Sequence, residues 1–518
     1  MKTPNLLLLA GALTLTAQAQ QKRPNIILFL VDDMGWQDTS HPFYEDTTNF
    51  NRIYHTPNME RLAKMGVTFT NAYASAVSSP TRTSLMTGMY PSSHRVTNWT
   101  LRRDQSPDNI SGLNSIELPS WNVNGLQPIG AGINNSVEAT TLPSLLQQNG
   151  YFTIHCGKAH WGSKGTPGAN PLTLGFDVNI AGFEAGGPAS YLASENFGFD
   201  ENGMPKNDFA IPGLEQYWGQ NIFLTQALTI EATKALDRAV RENRPFYLYM
   251  SHYAIHVPLN KDDRYYQKYK DAGLDDSQAR YAGLIEGMDK SLGDLMDYIE
   301  QKGVADNTII LFMSDNGGLS NHGRSGTPET HNKPLANGKG SPYEGGVRVP
   351  MIAYQPGVTR AGGRDATPIN IVDFFPTILE LGGVKDYKTT QKVDGISFST
   401  ILNGRGDKRF AKRAQVWHFP NRWIPFGDPR GKGYGTYSSI LKEGWKLIYY
   451  YDFDYAELYN INEDIGEQRD LASDKKYAKK REALAQELTA KLKADNAQFP
   501  RSKNGTPCKY PNGEVIKN

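Results

Sequence analysis

The sequence predicts an α/β protein: a large, mixed but mostly parallel sheet sandwiched by helices, with a smaller C-terminal α+β subdomain containing an antiparallel sheet. Three observations carry this. Asn25–Val31, Tyr151–Cys156, Pro245–Met250 and Thr308–Met313 are nearly unbroken apolar, β-branched or aromatic runs. They lack the alternation of a half-exposed strand, as strands buried on both faces do. Helical stretches separate them, the order of a parallel sheet covered on both sides. Near residue 405 the texture changes to short strand-like segments at Ala414–His418, Gly435–Leu441 and Trp445–Tyr451, followed by a charged helix over Lys476–Lys493.

In chain order, residues 1–19 read as an export signal. Lys2 is its charged start, Leu6–Leu15 its apolar run and Ala17-Gln18-Ala19 its cleavage site. No cysteine follows for a lipid anchor, and no later run approaches the roughly 20 apolar residues of a membrane span. The expectation is an exported protein without a membrane anchor, with a main domain over 20–404 and the C-terminal subdomain over 405–518. After the first strand, Thr56-Pro57 opens a helix and Gly66 closes it. Pro80 suits a first helical turn, which puts Ser78 at or just before a helix N-terminus and makes Ser79 its N-cap. The polar, Gly/Pro/Asn-rich stretch from Asn98 to Asn135 is long for a connection and reads as functional or mobile. A short helix over Pro143–Gln148 follows, then amphipathic helices at about Phe223–Arg241 and Ala279–Gln301.

Of the 518 residues, 39% are hydrophobic and 21% charged, which calls for a packed core rather than disorder. The net charge of +1 gives no general attraction to nucleic acid or anionic membrane. Cys156 and Cys508 are the only cysteines, too few for a disulfide framework. Cys156 reads as a small core residue, and a single bridge to Cys508 stays open.

Each buried strand runs directly into polar residues: Asp32-Asp33, Lys158 and His160, Ser251 and His256, and Asp315-Asn316. Open parallel sheets bind ligands beyond the carboxyl ends of their strands. Taken singly, Asp32-Asp33 reads as a helix cap and Asp315-Asn316-Gly317 as a turn. Brought together at paired strand ends, three carboxylates and an amide oxygen suit a hard divalent cation, Ca²⁺ or Mg²⁺. Arg82, Lys158, Lys339, His160 and His256 are anion partners. Arg82 returns to the side of Ser78 one turn along a helix whose N-terminus attracts anions. The set suggests a tetrahedral oxyanion held by a metal, an arginine and lysines.

Ser78-Ser79-Pro80-Thr81-Arg82, followed by Leu85-Met86-Thr87-Gly88, resembles the sulfatase signature C/S-x-P-x-R-x-x-x-x-T-G. LVDDMG (30–35), TPNMERLAKMG (56–66), GYFTIHCGKAHWG (150–162), YAGLIEGMDKSLGDL (281–295), SDNGG (314–318), GKGSPYEGGVRVP (338–350) and AELYNINEDIGEQRDLA (456–472) accompany it in order. The chain is similar over almost its whole length to the formylglycine-dependent type I sulfatases of the alkaline phosphatase superfamily. The resemblance implies an alkaline-phosphatase-like fold and a sulfatase activity. It implies that Ser78 is the precursor of formylglycine (3-oxoalanine), whose hydrate attacks sulfur. A serine there resembles the bacterial class matured anaerobically by a radical-SAM sulfatase-maturating enzyme. Asp32, Asp33, Asp315 and Asn316 would bind one Ca²⁺, with Mg²⁺ the second choice. Arg82 and Lys158 would hold the diol, and His160 would take the proton of its second hydroxyl. Lys339 and His256 would meet the bridging oxygen, His256 as general acid. The chain departs from the usual pattern in having Ser at 78, Ala159 where Trp is frequent and Ala336 where Arg is frequent.

An exported sulfatase of this type suggests a periplasmic or secreted bacterial enzyme acting on a sulfated carbohydrate: glycosaminoglycan, mucin or algal polysaccharide. The favoured unit is a galactose or N-acetylgalactosamine sulfate. Candidate substrate contacts are Trp99, Arg102, Arg103, His418, Asn421, Arg422 and Trp423. Two rival readings stand beside it: a phosphate or phosphonate monoester hydrolase of the same superfamily, and a glycan-binding relic whose Ser78 is never oxidised.

Overall fold

The computed structural model describes residues 23–108, 110, 113, 115–319, 332–423 and 435–516. The leader read over 1–19 lies outside them. Nine strands form the main sheet: β1 (Asn25–Val31), β2 (Val67–Tyr73), β3 (Phe152–Gly157), β4 (Val178–Ile180), β5 (Phe246–Ser251), β6 (Thr308–Ser314), β7 (Arg348–Tyr354), β8 (Gly363–Asp365) and β9 (Ile369–Asn370). Their spatial order is β8-β2-β7-β6-β1-β5-β3-β4, with β9 also paired to β2. β7 runs antiparallel to both its neighbours. The block β6-β1-β5-β3-β4 is parallel throughout. The carboxyl ends of β1, β3, β5 and β6 therefore open on one edge.

The helices that matter here are α1 (Pro57–Met65), α2 (Ser78–Thr87), α3 (Leu142–Gln148), α4 (Leu224–Arg241), α5 (Asp276–Gln301), α6 (Phe374–Leu381) and α7 (Ala478–Ala494). The strand period of two sorts β1 between two cores. Ile27, Phe29 and Val31 pack with α1, α4 and α5 through Met59, Leu228 and Leu284. Ile26, Leu28 and Leu30 pack with α2, α3 and α6 through Leu85, Leu146 and Phe375. This double burial is why β1 reads as an unbroken apolar run.

β2 and β7, like the short β4, β8 and β9, were not among the strands read from the sequence. β7 contains Pro350, which has no N–H for a ladder. Its pairing with β2 shifts register between Val349 and Met351, so the proline sits in a bulge where that donor is not required.

The C-terminal sheet is four antiparallel strands in sequence order: β10 (Gln415–Phe419), β11 (Tyr437–Lys442), β12 (Trp445–Tyr450) and β13 (Tyr455–Asn460). One face packs Val416, Ile440, Leu447 and Leu458 against Leu484, Leu488 and Leu492 of α7. The other face packs Trp417, Phe419 and Tyr450 against Tyr73, Val77 and Tyr343 of the larger unit. Trp417 Nε1 donates to Ala74 O at 2.8 Å. Lys446 of β12, fully buried, lies 3.0 Å from Glu344 and 3.2 Å from Glu467. Buried charges need such partners.

One expectation is corrected, and the open question of a Cys156–Cys508 bridge is answered. Val77 is the N-cap of α2, without a side-chain cap bond, and Ser79 lies inside the helix. Its hydroxyl is engaged elsewhere, accepting from Thr100 N at 3.1 Å. Cys156 and Cys508 are both free thiols. Among the described residues no helix is long and apolar enough to cross a membrane.

Candidate active site

Each strand end delivers one part of the site. β1 hands over Asp32 and Asp33, β6 delivers Asp315 and Asn316, β3 delivers Lys158, and the turn after β5 carries His256. Local backbone geometry makes this placement demanding. Asp33 and His160 hold φ of 62° and 59°, the left-handed region that side-chain-bearing residues avoid. Such a residue costs about 1–3 kcal/mol and persists where its surroundings fix it. For Asp33 they do: Asp32 N donates to Ala254 O at 2.9 Å, Ile255 N donates to Asp32 O at 2.8 Å and Asp33 N donates to Asp315 Oδ1 at 3.2 Å.

Ser78 opens α2, all ten residues of which are buried. Its Oγ accepts from Lys158 Nζ at 3.0 Å and lies 3.3 Å from Asp32 Oδ1 and 3.2 Å from Asn316 Oδ1. Lys158 Nζ also donates to Asp32 Oδ2 at 2.7 Å. Arg82, one turn on, donates to Asp315 Oδ2 from Nε at 3.0 Å and Nη2 at 2.8 Å. Its Nη1 bonds Lys158 O at 3.0 Å and the Ser251 hydroxyl. Lys339 Nζ lies 2.6 Å from Asp33 Oδ1, and Asn316 Nδ2 donates to that same oxygen at 2.8 Å. His256 Nε2 is 3.8 Å from Asp33 Oδ2.

The two histidines take opposite tautomers. His256 Nδ1 faces Val257 O at 2.7 Å and His160 Nε2 faces Thr100 O at 2.8 Å. Carbonyls only accept, so those nitrogens carry protons. The exchangeable nitrogen is Nε2 in His256 and Nδ1 in His160. Burial, reinforced by Lys158 and Arg82, drives His160 well below the usual imidazole range. Burial and Lys339 bring His256 down to about 3 against the pull of Asp33.

Asp32, Asp33 and Asp315 form a fully buried carboxylate group whose ligand oxygens lie within 4.8 Å of one another. With Asn316 Oδ1 beside Ser78, the donors are all hard oxygens, and neither thiolate nor thioether belongs to the group. That chemistry fits Ca²⁺ or Mg²⁺. Protonation equilibria agree. Burial, with Asp315 and Asp33 adding, pushes Asp32 up to about 8 against Lys158 and Arg82, so its ionised form calls for more positive charge. Burial brings Lys158 down to about 8 although Asp32 opposes it. Burial also works to raise Asp33 and Asp315, but Lys339 prevails at the first and Arg82 at the second, leaving both lowered.

These residues open into a cavity of about 280 Å³. Ser78, His160, His256 and Lys339 line it at the polar end, with Trp99, Arg422 and Trp423 among its walls. Of the substrate contacts expected from sequence, those last three reach the cavity. Arg102 is exposed and pairs with Asp208 at 2.8 Å, and Arg103 lies beside Asp104. His418 is buried in β10, its ring nitrogens bonded to Ser438 and Gln498 O. Asn421 is buried and donates to Asp108 at 2.9 Å. Phe209, Leu319 and Asn98 also line the cavity and carried no pattern that would mark them. Trp161, one place past His160, lies under the site, its Nε1 donating to Arg82 O at 3.2 Å.

Comparison with known proteins gives a consistent picture. Residues 24–384 match the family model for Sulfatase, and residues 338–494 match that for the N-sulphoglucosamine sulphohydrolase C-terminal region. A sulfatase of Formosa agariphila is 29% identical, covering 97% of this chain and 95% of its own. The N-acetylgalactosamine-6-sulfatase of Mus musculus is 30% identical, covering 81% of this chain and 77% of its own. The crystal structure of Ps i-CgsB in complex with k-i-k-neocarrahexaose superposes with a TM-score of 0.70 at 26% identity, covering 92% of this chain and 93% of that one.

Proposed function

Because this chain belongs to the sulfatase family and is a sulfuric ester hydrolase, we propose that it removes sulfate from a galactose or N-acetylgalactosamine unit of a sulfated glycan, using an aldehyde made from Ser78. The sugar class is supported by relatives that act on N-acetylgalactosamine sulfate or bind a neocarrahexaose. The carrying observation is the position of Ser78 Oγ, between Lys158 Nζ, Asp32 and Asn316 on the floor of the cavity.

A plain serine would end as a stable sulfate ester. A hydrated aldehyde supplies both a nucleophilic hydroxyl and a second one whose deprotonation releases sulfate. The oxygen set of Asp32, Asp33, Asp315 and Asn316 would hold Ca²⁺, which supplies Lewis-acid stabilisation of charge on the transferring group. The rest falls to the chain. Lys158 holds the oxygen at position 78 and, with Arg82, fixes its direction of attack. Three carboxylates against Arg82, Lys158 and Lys339 are formally neutral, so the ion's own charge is left for a tetrahedral oxyanion. Stabilisation of this kind is commonly the largest catalytic contribution. His160 Nδ1 has the lone pair to take a hydroxyl proton. His256 Nε2 and Lys339 meet the bridging oxygen; the bound ester anion favours uptake of a second proton from solvent at Nε2, and the imidazolium so formed delivers that proton to make the sugar alkoxide a competent leaving group. Export to the periplasm, from the leader read in residues 1–19, and oxidation of Ser78 by an anaerobic radical-SAM maturating enzyme complete the proposal.

Mass spectrometry of the Ser78 peptide from protein matured in an anaerobic bacterial host should find it lighter by the two hydrogens lost on oxidation. The same preparation should desulfate a defined galactose or N-acetylgalactosamine sulfate and prefer an aryl sulfate to the matched aryl phosphate. An unmodified serine with no desulfation, or a preference for the phosphate, overturns this reading.

A further inference from the structure

The Asp108 carboxylate gathers five donors from separated parts of the chain. Oδ1 accepts from Asn98 Nδ2 at 3.0 Å and from the backbone N of Arg422 at 3.0 Å. Oδ2 accepts from Ser106 Oγ at 2.6 Å, Asn421 Nδ2 at 2.9 Å and Trp121 Nε1 at 3.2 Å. All five donors are neutral, so the carboxylate works as a hydrogen-bond hub. Bonds to an ionised acceptor are roughly twice as strong as neutral ones.

What the hub joins gives it meaning. Asn98 and Pro107 line the cavity on the side of the long loop, and Trp99 follows Asn98, its N donating to Asn98 Oδ1 at 2.9 Å. Arg422 and Trp423 line it from the C-terminal segment that leaves β10. Lys339 Nζ sits 5.9 Å from the Trp423 ring. A Cβ on Gly340 would stand 2.6 Å from that ring, so the indole lies directly on the backbone next to Lys339. Asp108 itself does not line the cavity. It ties the two walls together behind the surface the substrate would meet.

We propose that Asp108 is a positioning residue for substrate selection: it fixes Arg422 and Trp423 against the Asn98–Trp99 wall and so builds the slot for the sugar beyond the sulfate group. The inference rests on the sulfatase reading and deepens it. A small aryl sulfate needs only the polar floor, whereas a saccharide needs the slot.

Asp108→Asn keeps the size but turns an amide NH₂ toward groups that are themselves donors. Relative to wild type, the expected result is a rise of about tenfold in KM for the sulfated saccharide, the weight of one lost charge-assisted contact. The kcat for an aryl sulfate should stay nearly unchanged while the melting temperature falls with the weakened hub, and Asp108→Glu should recover part of the loss. In a double-mutant cycle, Asp108→Asn combined with Trp423→Ala should cost clearly less than the sum of the two single losses, because the first acts in large part through the second. Equal losses on both substrates, or additive losses in the cycle, overturn the proposal. Titration calorimetry of the same saccharide into wild type and Asp108→Asn reads it without turnover. If the wild type hydrolyses neither ester, the sulfatase reading falls while the affinity ratio still tests Asp108. Equal affinities, or no binding to either protein, count against it.

Discussion

Arg82 makes four hydrogen bonds from a fully buried guanidinium: two to Asp315, one to Lys158 O and one to Ser251. A lysine cannot reproduce that planar fork. Arg82→Lys should lower kcat on the best saccharide by on the order of 10²–10³, the usual cost of one preorganised charge-stabilising donor. It should also destabilise the fold by about 3–5 kcal/mol, because Asp315 is left partly unpaired in the interior. Urea unfolding and steady-state kinetics check the two parts separately, and a variant with full kcat removes Arg82 from the chemistry. The neighbouring carboxylates give a second prediction. If Asp32, Asp33 and Asp315 hold a cation, EGTA should lower the melting temperature and turnover together. Ca²⁺ at about a hundred times its Kd should restore about 2.7 kcal/mol of stability. A melting curve indifferent to EGTA and Ca²⁺ would argue against a metal.

At the level of elements, Gly157 shows how strand packing aims a side chain. It ends β3 with φ of 101°, and a Cβ there would lie 1.9 Å from Ser251 O of β5. The next residue, Lys158, donates its backbone N to that same carbonyl at 2.7 Å. Gly157→Ala should cost about 3 kcal/mol from left-handed strain and overpacking, and should shift Lys158 away from Ser78. The expected outcome is a lowered urea midpoint with a larger fall in kcat than in substrate affinity. Normal kcat in a folded variant would show that the close approach does not aim Lys158. The four central parallel strands, β1, β3, β5 and β6, were legible because burial on both faces leaves no polar interruptions, whereas the short β4, β8 and β9 carried no such run. β2 was not, because Thr68, Thr70 and Asn71 break up VTFTNAY, and β7 was hidden by Pro350. The polar floor could be read for a related reason: Asp32, Lys158 and Asp315 follow buried strands directly in sequence. The walls could not. Which of Trp99, Arg102 or His418 reaches the cavity depends on how loops cross in space, and Asp108 joins the two walls only because Asn421 and Arg422, more than 300 residues away, come back to it.

Taken as a whole, the molecule stores neutral histidines in several parts of its interior, and this sets its response to acid. Burial lowers His94, His155 and His252 to about 3 and His41 and His418 to about 4. They lie far apart in role: His94 beneath α2 against Ser84, His252 against Ser291 of α5, and His418 inside the C-terminal sheet. In the unfolded chain each titrates near 6.5. Between that value and its folded one, the unfolded state binds the extra proton, so stability is full above pH 6.5 and is lost as pH falls. Glu467 and Asp289 run the other way, since burial raises them to about 8 and about 6. Outside the active site, these five histidines against two acids contribute a net uptake of about three protons on unfolding near pH 5. Each is worth about 1.4 kcal/mol per pH unit, so the net slope is about 4 kcal/mol per unit. Melting temperature should therefore drop steeply between pH 6.5 and 4.5, before ordinary carboxylates titrate, and both units should be affected. His418→Gln, which removes one proton-uptake site from the C-terminal sheet, should make the drop shallower while lowering stability at pH 7. A melting temperature that stays level across that interval, or a His418→Gln slope equal to wild type, would show that these buried rings do not govern the acid limit.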